Sequence, residues 1–221
     1  MNQITQETRD KLCEIFDRGL CHGAGKDPAG QVCLEQAIAI AYGDPLTDSP
    51  SCVHPAVAAH SRRLNDANWS SPKVRADSLR AYALNQLGCS HIDGREFAKR
   101  VTLRTIREIL PIALRAAKLE SEAKACETAE DLKAAGAAAR KARAAAAAAD
   151  AAADAYAAAA DADAAAAAAA ADAAADAAAA YAADAAAYAA YARSKRDEVL
   201  QLAAKIADEV LTELLEAKAA E

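Results

Sequence analysis

A glycine-rich segment stands where the chain could bind an anion. Residues 21–30 read CHGAGKDPAG, which indicates a loop ahead of an apolar helix. A Walker A loop requires G-x-x-x-x-G-K-[ST] after a strand, whereas Asp27 follows Lys26 here and no strand precedes the loop. Free backbone N–H groups of residues 25–31 could still hold an anion, with Lys26 as a point charge. A simple connector between two helices is the alternative reading.

The single tryptophan lies in a polar segment that could face the same ligand. Residues 64–71 read LNDANWSS, so Trp69 has Asn65 and Asp66 close by in sequence. An indole ring in such a segment either stacks on a base or fills a small core. We expect it to stack on the base of a nucleotide-like ligand.

Arginines and one carboxylate complete the predicted binding site. Arg62 and Arg75 could donate hydrogen bonds to a phosphate group. Glu35 lies in the otherwise apolar segment VCLEQAIAIA, where a carboxylate is costly unless it is paired. It is either partly exposed or one arm of a polar site, with Arg62 and Arg63 or Arg75 and Arg80 as its natural partners.

A further row of arginines follows helical spacing. Arg100, Arg104 and Arg107 are separated by four and then three residues, so they share one helix face. The face could bind phosphate or carboxylate, or it could simply be solvated. We favour a third interpretation, in which it pairs with the acidic stripe of the alanine-rich module, because the two halves of the chain carry opposite net charge.

The six cysteines and four histidines do not form a metal motif. Structural zinc usually requires C-x₂₋₄-C pairs, and only C-x-H pairs such as Cys52/His54 occur. We therefore predict no metal and no cofactor, and free thiols in a reducing cytosol. Catalysis stays open as a separate hypothesis, with Glu35 or His54 as general base.

No sustained alternation of period two occurs, so an all-α fold is predicted. Helices are expected at 4–20, 31–42, 55–64, 72–87 and from Asp93 to Pro111, which kinks the chain or starts another helix to about Leu119. Thr5 is expected to cap the first helix without a capping box, because Thr8 stands where Glu or Gln is usual. A last helix, 195–218, carries an apolar stripe that should dock on the first half of the chain.

The second half is dominated by alanine, the strongest intrinsic helix former. One uninterrupted helix over 129–191 would be about 95 Å long. We therefore predict long alanine-rich helices folded back against a helical N-terminal domain. The predicted divisions are 1–119, a compact domain with Gly/Pro-rich loops, 120–192, an alanine-rich module, and 193–221, a docking helix. Alanine faces should pack closely on other helices, including those of a second subunit, so a homo-oligomer is expected.

Charge and hydropathy exclude some classes of partner. Residues 1–119 carry 16 Lys/Arg and 13 Asp/Glu, and residues 120–221 carry 10 and 19. An acidic half argues against binding to DNA, which needs a basic stripe. The N-terminus has no apolar signal segment, and no apolar run approaches the ~20 residues of a membrane span. We expect a cytoplasmic protein without a membrane contact.

Several segments resemble a family of alanine-rich proteins of tailed bacteriophages and prophages. The similar stretches are GAGKDPAGQVCLEQAI, SCVHP, LNDANWSS, LPIALRAA and SKRDEVL, together with the R-x-x-x-L and L-N-Q-L-G elements of 75–88. The family has no established activity, so it implies no catalytic residue. It implies an accessory protein in a bacterial cytoplasm, of the kind that counters host defence by sequestering nucleotide signals or by binding a host protein.

The leading hypothesis is a binding module for a small anionic, nucleotide-like ligand such as a host immune signal. The alternatives are a protein interaction module that inhibits a host protein through its alanine-rich helices, and an enzyme acting on a nucleotide. The predicted ligand-binding residues are Lys26, Glu35, Arg62, Asn65, Asp66, Trp69, Arg75, Arg100 and Arg104.

Overall fold

The computed structural model describes residues 4–23, 25, 30–116, 119–148 and 193–220. Helices make up 74% of the structure and the described residues contain no strand, so the all-α prediction is confirmed. The α-helices are α1 Gln6–Asp17, α2 Leu34–Tyr42, α3 Pro55–Asn65, α4 Pro72–Gln86, α5 Gly94–Arg104, α6 Leu110–Ala116, α7 Glu120–Glu127, α8 Leu132–Ala148 and α9 Arg193–Ala219. A short 3₁₀ turn, Cys89–His91, separates α4 from α5.

The N-terminus of α1 corrects one prediction. The backbone N–H of Thr8 donates to Thr5 Oγ1 at 3.2 Å, and the Thr5 N–H donates to Thr8 Oγ1 at 3.4 Å. A capping box is therefore present, because the Thr8 hydroxyl takes the role usually played by a Glu or Gln side chain. The helix also begins and ends inside the predicted 4–20 range.

Proline and polar caps fix the starts of α3 and α4. His54 Nδ1 accepts the Ala56 N–H at 3.1 Å, and Ser71 Oγ accepts the Val74 N–H at 3.1 Å. Each helix has proline in its first turn, where the missing N–H is not needed. At the other end of α2, Gly43 adopts a left-handed conformation with φ 92°, which terminates the helix.

The long helical segment before Pro111 contains one π-helical turn, Thr105–Ile109. Proline has no N–H, and its ring clashes with the carbonyl four residues earlier. The wider π-turn relieves this clash, so the chain continues into α6 without a break. The sequence predicted a kink or a new helix at this point, and the structure shows how the change is accommodated.

The larger core, here the main core, lies among α1–α5 and α9. Its fully buried large side chains include Phe16, Leu34, Leu79, Tyr82 and Phe97. The apolar face of α9 covers α4, and Val199, Ile206 and Val210 join this core. Polar contacts align the two helices, since Asn85 Nδ2 donates to Asp208 Oδ1 at 2.8 Å and to Thr212 Oγ1 at 3.1 Å.

A second core, here the alanine core, lies among the π-turn, α6, α7 and α8. Its buried members are Ile106, Leu110, Leu114, Ala123, Cys126, Ala129, Ala135, Ala139 and Ala142. Close packing of small side chains thus holds the first part of the alanine-rich segment, α8, against its neighbours. The rest of that segment, with the predicted fold-back and its Asp and Tyr residues, lies outside the described residues.

None of the helices in the described ranges is both long enough and apolar enough to cross a membrane.

Candidate functional site

Four of the nine predicted site residues converge on one small cavity. Glu35, Arg62, Asn65 and Asp66 line a space of about 90 Å³ between the N-terminal end of α2 and the C-terminal end of α3. Gly23, Cys33, Leu34 and Asp48 complete its walls. Two helix ends and two loops thus bring together residues that lie up to 43 positions apart in the sequence.

Glu35 forms the closed end of this cavity. The residue is 0% exposed, because α2 packs against α1, α3 and α4. The hydroxyl of Ser61 donates to Glu35 Oε1, whereas Oε2 has no hydrogen-bond partner among the described residues. Burial raises the pKa of Glu35 to about 8, against the opposing effects of Ser61 and the Arg62 charge. The carboxyl group is therefore mostly protonated at neutral pH.

A polar network continues behind Glu35 into the main core. Ser61 Oγ lies 3.3 Å from Gln86 Oε1, and Gln86 Nε2 has no partner among the described residues. A hydroxyl has one hydrogen, and Ser61 gives it to Glu35. A half-turn of the Gln86 amide would let Nε2 donate to the Ser61 oxygen, which leaves Glu35 Oε2 as the unsatisfied atom of the network.

His60 lies beside this network and is fully buried. Its Nδ1 is 3.2 Å from the Tyr82 hydroxyl, and its ring meets Phe97 edge to face with centroids 5.9 Å apart. Burial lowers the pKa of His60 to about 4, so the imidazole is neutral at neutral pH. His60 is a core residue rather than a base open to solvent.

Asn65 and Asp66 are structural ties as well as cavity walls. Asn65 Oδ1 accepts the Leu34 N–H at 3.2 Å, and its Nδ2 donates to Cys21 O at 3.1 Å. Asp66 Oδ1 accepts the Gly23 N–H at 2.8 Å. The residues join both ends of the glycine-rich loop to α3.

Hydrogen bonds within the protein bear on the prediction that backbone N–H groups of the glycine-rich loop bind an anion. The Gly25 N–H donates to Gln36 Oε1 at 3.1 Å, and the first N–H of α2, that of Leu34, is held by Asn65. Protein acceptors thus occupy the Gly25 N–H, one of the backbone donors that were expected to hold an anion, and the first N–H of the helix that follows. Lys26 and its neighbours 27–29 lie outside the described residues.

Arg62 separates the small cavity from a larger cleft. Its Nη1 donates to Asp48 O at 2.8 Å and to Ser49 Oγ at 3.4 Å. The cleft, about 400 Å³, is lined by Arg62 together with Ser49, Pro50, Ser51, Val53, Pro55, Ala58 and Ser90. A volume above ~300 Å³ is typical of small-molecule sites.

Trp69 and Arg75 are not in the cavity. Trp69 is 5% exposed, and its Nε1 donates to Leu64 O at 2.8 Å. The ring fills part of the main core, so it offers no free face for stacking. Arg75 is also buried, and its Nη1 donates to Leu20 O at 2.8 Å while Nε has no partner within the described chain.

Arg100 and Arg104 are paired on a different face of the molecule. Arg100 contacts Glu96 and Glu213, and Arg104 contacts Glu108 and Glu209. The sequence predicted pairing with the acidic stripe of the alanine-rich module 120–192, whereas these partners lie on α5, the π-turn and α9. The Arg104 Nη1–Glu209 Oε2 distance of 2.7 Å shows that this face helps to dock α9.

The candidates for other chemistry have structural roles. None of the six cysteines is in a disulfide. Burial raises the pKa of Cys33 and Cys52 to about 11 and that of Cys89 to about 12, so these three are thiols rather than reactive thiolates. His54 caps α3 and its ring packs against Gly94. Within the described ranges, no group of three His, Cys, Asp or Glu side chains is placed to hold a metal ion.

Sequence reasoning missed Ser61 and Asp48. Ser61 and Asn65 are four residues apart, so they share the face of α3 that meets α2. This spacing beside a buried Glu35 was a usable signal. Asp48 lies in an irregular loop, and no sequence periodicity marks its position.

No protein-family model matches the sequence, and no curated protein or solved structure is similar to it.

Proposed function

We propose that this protein is a binding module that sequesters a small polar ligand at the Glu35 cavity. The observation that carries the proposal is an unpaired oxygen on a fully buried carboxyl group, in a residue that lines the cavity. Buried polar atoms in folded proteins almost always have a partner, and an orphan costs about 1–3 kcal/mol. A bound ligand would supply the missing partner.

The two spaces beside Arg62 suggest how a larger ligand would lie. The small cavity takes a polar head group, and the cleft of about 400 Å³ takes the remainder. Arg62 stands between them, with its Nη1 held by loop oxygens. A nucleotide-like ligand could place an amino-bearing base edge toward Glu35 and its phosphate near Arg62.

The proposal includes a setting, which rests on the resemblance alone. A phage accessory protein that retains a small host molecule would deny that molecule to a defence system. Sequestration needs tight binding without turnover, and the site suits this. Glu35 is closed to water, and the thiols beside it are held protonated by burial.

Two experiments test the proposal. The first is mass spectrometry of ligands released from protein expressed in bacteria. The second is calorimetry against linear and cyclic nucleotides, amines and amino acids. A saturable ligand with a dissociation constant below about 100 μM, roughly −5.5 kcal/mol, is the expected result.

A blocking variant locates the site. Asp48→Trp places a bulky ring at the cavity wall and should abolish binding, whereas Glu14→Trp, on the exposed surface of α1, should leave it unchanged. Unaltered binding by Asp48→Trp would place the ligand elsewhere. The absence of any saturable ligand would favour the protein-interaction alternative.

A further inference from the structure

The charges around the cavity favour a cation over an anion. Three carboxyl groups, those of Glu35, Asp48 and Asp66, line it, and Arg62 is the one cationic side chain among its described walls. With Glu35 ionised, the walls carry a net negative charge, which attracts cations in a partly dry site.

The acceptors of these groups are only partly used. Glu35 Oε2 has no partner among the described residues, and Asp48 accepts a long contact from the Ser49 hydroxyl at 3.4 Å. Asp66 uses Oδ1 for the Gly23 N–H and for Asn65 Nδ2. The cavity therefore offers unused hydrogen-bond acceptors, whereas both Nδ2 contacts of Asn65 are internal and Arg62 Nη1 is held by loop oxygens.

We propose that the cavity binds a primary alkylammonium group, which donates hydrogen bonds to the carboxyl oxygens of Glu35, Asp48 and Asp66. The inference rests on the proposed binding function and names the ligand class of that same site. An ammonium group has three N–H donors around a compact charge. A cavity of about 90 Å³ is small, which suits such a compact head group.

Binding of the cation is coupled to a proton. Before the ligand binds, Glu35 is protonated at neutral pH, whereas an ammonium ion prefers the carboxylate, so Glu35 releases its proton to water on binding. The other titratable groups that act on Glu35 are Asp48 and Arg62, together with the Cys33, Cys52 and Cys89 thiols, whose pKa values are raised by burial. Affinity should therefore rise about tenfold per pH unit between pH 6 and about 8 and level off above.

Arg62 is an internal competitor in this arrangement. Its positive charge acts on the same carboxyl group, and Glu35 has no surface open to water. The ligand reaches Oε2 when the Arg62 side chain moves away, which breaks its contacts to Asp48 O and Ser49 Oγ. Removal of the arginine charge should therefore increase the affinity of the site for a cation and decrease its affinity for an anion.

The sign of the Arg62 effect makes a decisive experiment. Calorimetry of the full chain at pH 8 uses 1,4-diaminobutane, the matched uncharged 1,4-butanediol, and AMP as the anionic probe. We expect the diamine to bind at least tenfold more tightly than the diol. Glu35→Gln should lower the affinity for the diamine about tenfold or more, and Arg62→Gln should raise it several-fold. Glu14→Gln should leave the affinity unchanged.

Folding and alternative outcomes are controlled. The amide introduced by Glu35→Gln is uncharged, like the protonated carboxyl group that it replaces, so helix content should be retained. Asp48→Asn, which removes a charge from the cavity wall outside the helices, should also lower the affinity for the diamine.

Equal affinity for diamine and diol, or weaker diamine binding by Arg62→Gln, would overturn the ammonium inference. Binding of AMP that Asp48→Trp abolishes and Arg62→Gln weakens would overturn it while supporting the proposed function. If no probe and no metabolite binds, both the ammonium inference and the proposed binding function are wrong.

Discussion

The main core and the alanine core reach burial by different means. The main core packs Phe, Leu and Tyr side chains around a buried polar network that contains Glu35, Ser61 and Gln86. The alanine core brings helices together through methyl groups, with Leu110 and Leu114 as its larger members. The first core should therefore be sensitive to lost volume and to protonation, and the second to added volume.

Loss of a large side chain from the main core should have the largest effect. Phe97 is 0% exposed and its ring meets His60. Phe97→Ala should reduce the free energy of unfolding by about 3–5 kcal/mol. Urea unfolding followed by circular dichroism measures the change, and a reduction below ~1 kcal/mol would mean that this core relaxes to fill the space.

The polar network should make the main core sensitive to pH. Glu35 has a folded pKa of about 8 against an ordinary value of 4.5, so its stabilising contribution is full below 4.5 and lost as pH rises toward 8. His60 has a folded pKa of about 4 against 6.5, so stability is lost as pH falls from 6.5 toward 4. Between pH 4.5 and 6.5 the opposite effects of Glu35 and His60 on the free energy of unfolding cancel. Between pH 6.5 and 8 only the Glu35 effect is left.

We therefore expect stability to fall by about 2 kcal/mol between pH 6.5 and 8. Glu35→Gln should flatten this decline, because the amide does not titrate. Chemical denaturation at a series of pH values is the measurement, with Glu14→Gln as a control that keeps the decline. A wild-type profile already flat from 6.5 to 8 would contradict the assigned protonation of Glu35.

Added volume should affect the alanine core. Ala139 is 0% exposed in α8, and Ala137 is exposed on the same helix. Ala139→Leu should cost about 1–3 kcal/mol by overpacking, whereas Ala137→Leu should change stability by less than ~0.5 kcal/mol. Equal melting temperatures for the two variants would show that α8 is loosely held.

The ion pair that joins α5 to α9 should have the smallest effect. The Arg104 and Glu209 side chains are 29% and 40% exposed, so solvent screens their attraction. A double-mutant cycle with Arg104→Ala and Glu209→Ala should give a coupling of about 0.2–1 kcal/mol. A coupling above ~2 kcal/mol would mean that this contact, rather than the apolar stripe, determines where α9 docks.

Local signals in the sequence predicted most of the helices. The Ser71–Pro72 and Asp93 caps, and Gly43 after α2, lie where the pattern indicated them, because caps depend on residues within one turn. Glu35, Arg62, Asn65 and Asp66 do line one cavity, and their role in binding a ligand stays a prediction. The sequence could not decide whether Trp69 is buried or faces a ligand, because its burial depends on how helices distant in the sequence pack together.

The packing of α9 on α4 has a consequence for synthesis of the chain. Asn85 and Asp208 touch although they are separated by 123 positions. At about 5–20 residues per second, roughly 6–25 s pass between translation of these two residues. During that interval the apolar face of α4 has no α9 to cover it. A nascent chain therefore carries an uncovered helix face for seconds, which makes it a target for holding chaperones and for premature association with neighbouring chains on the same message.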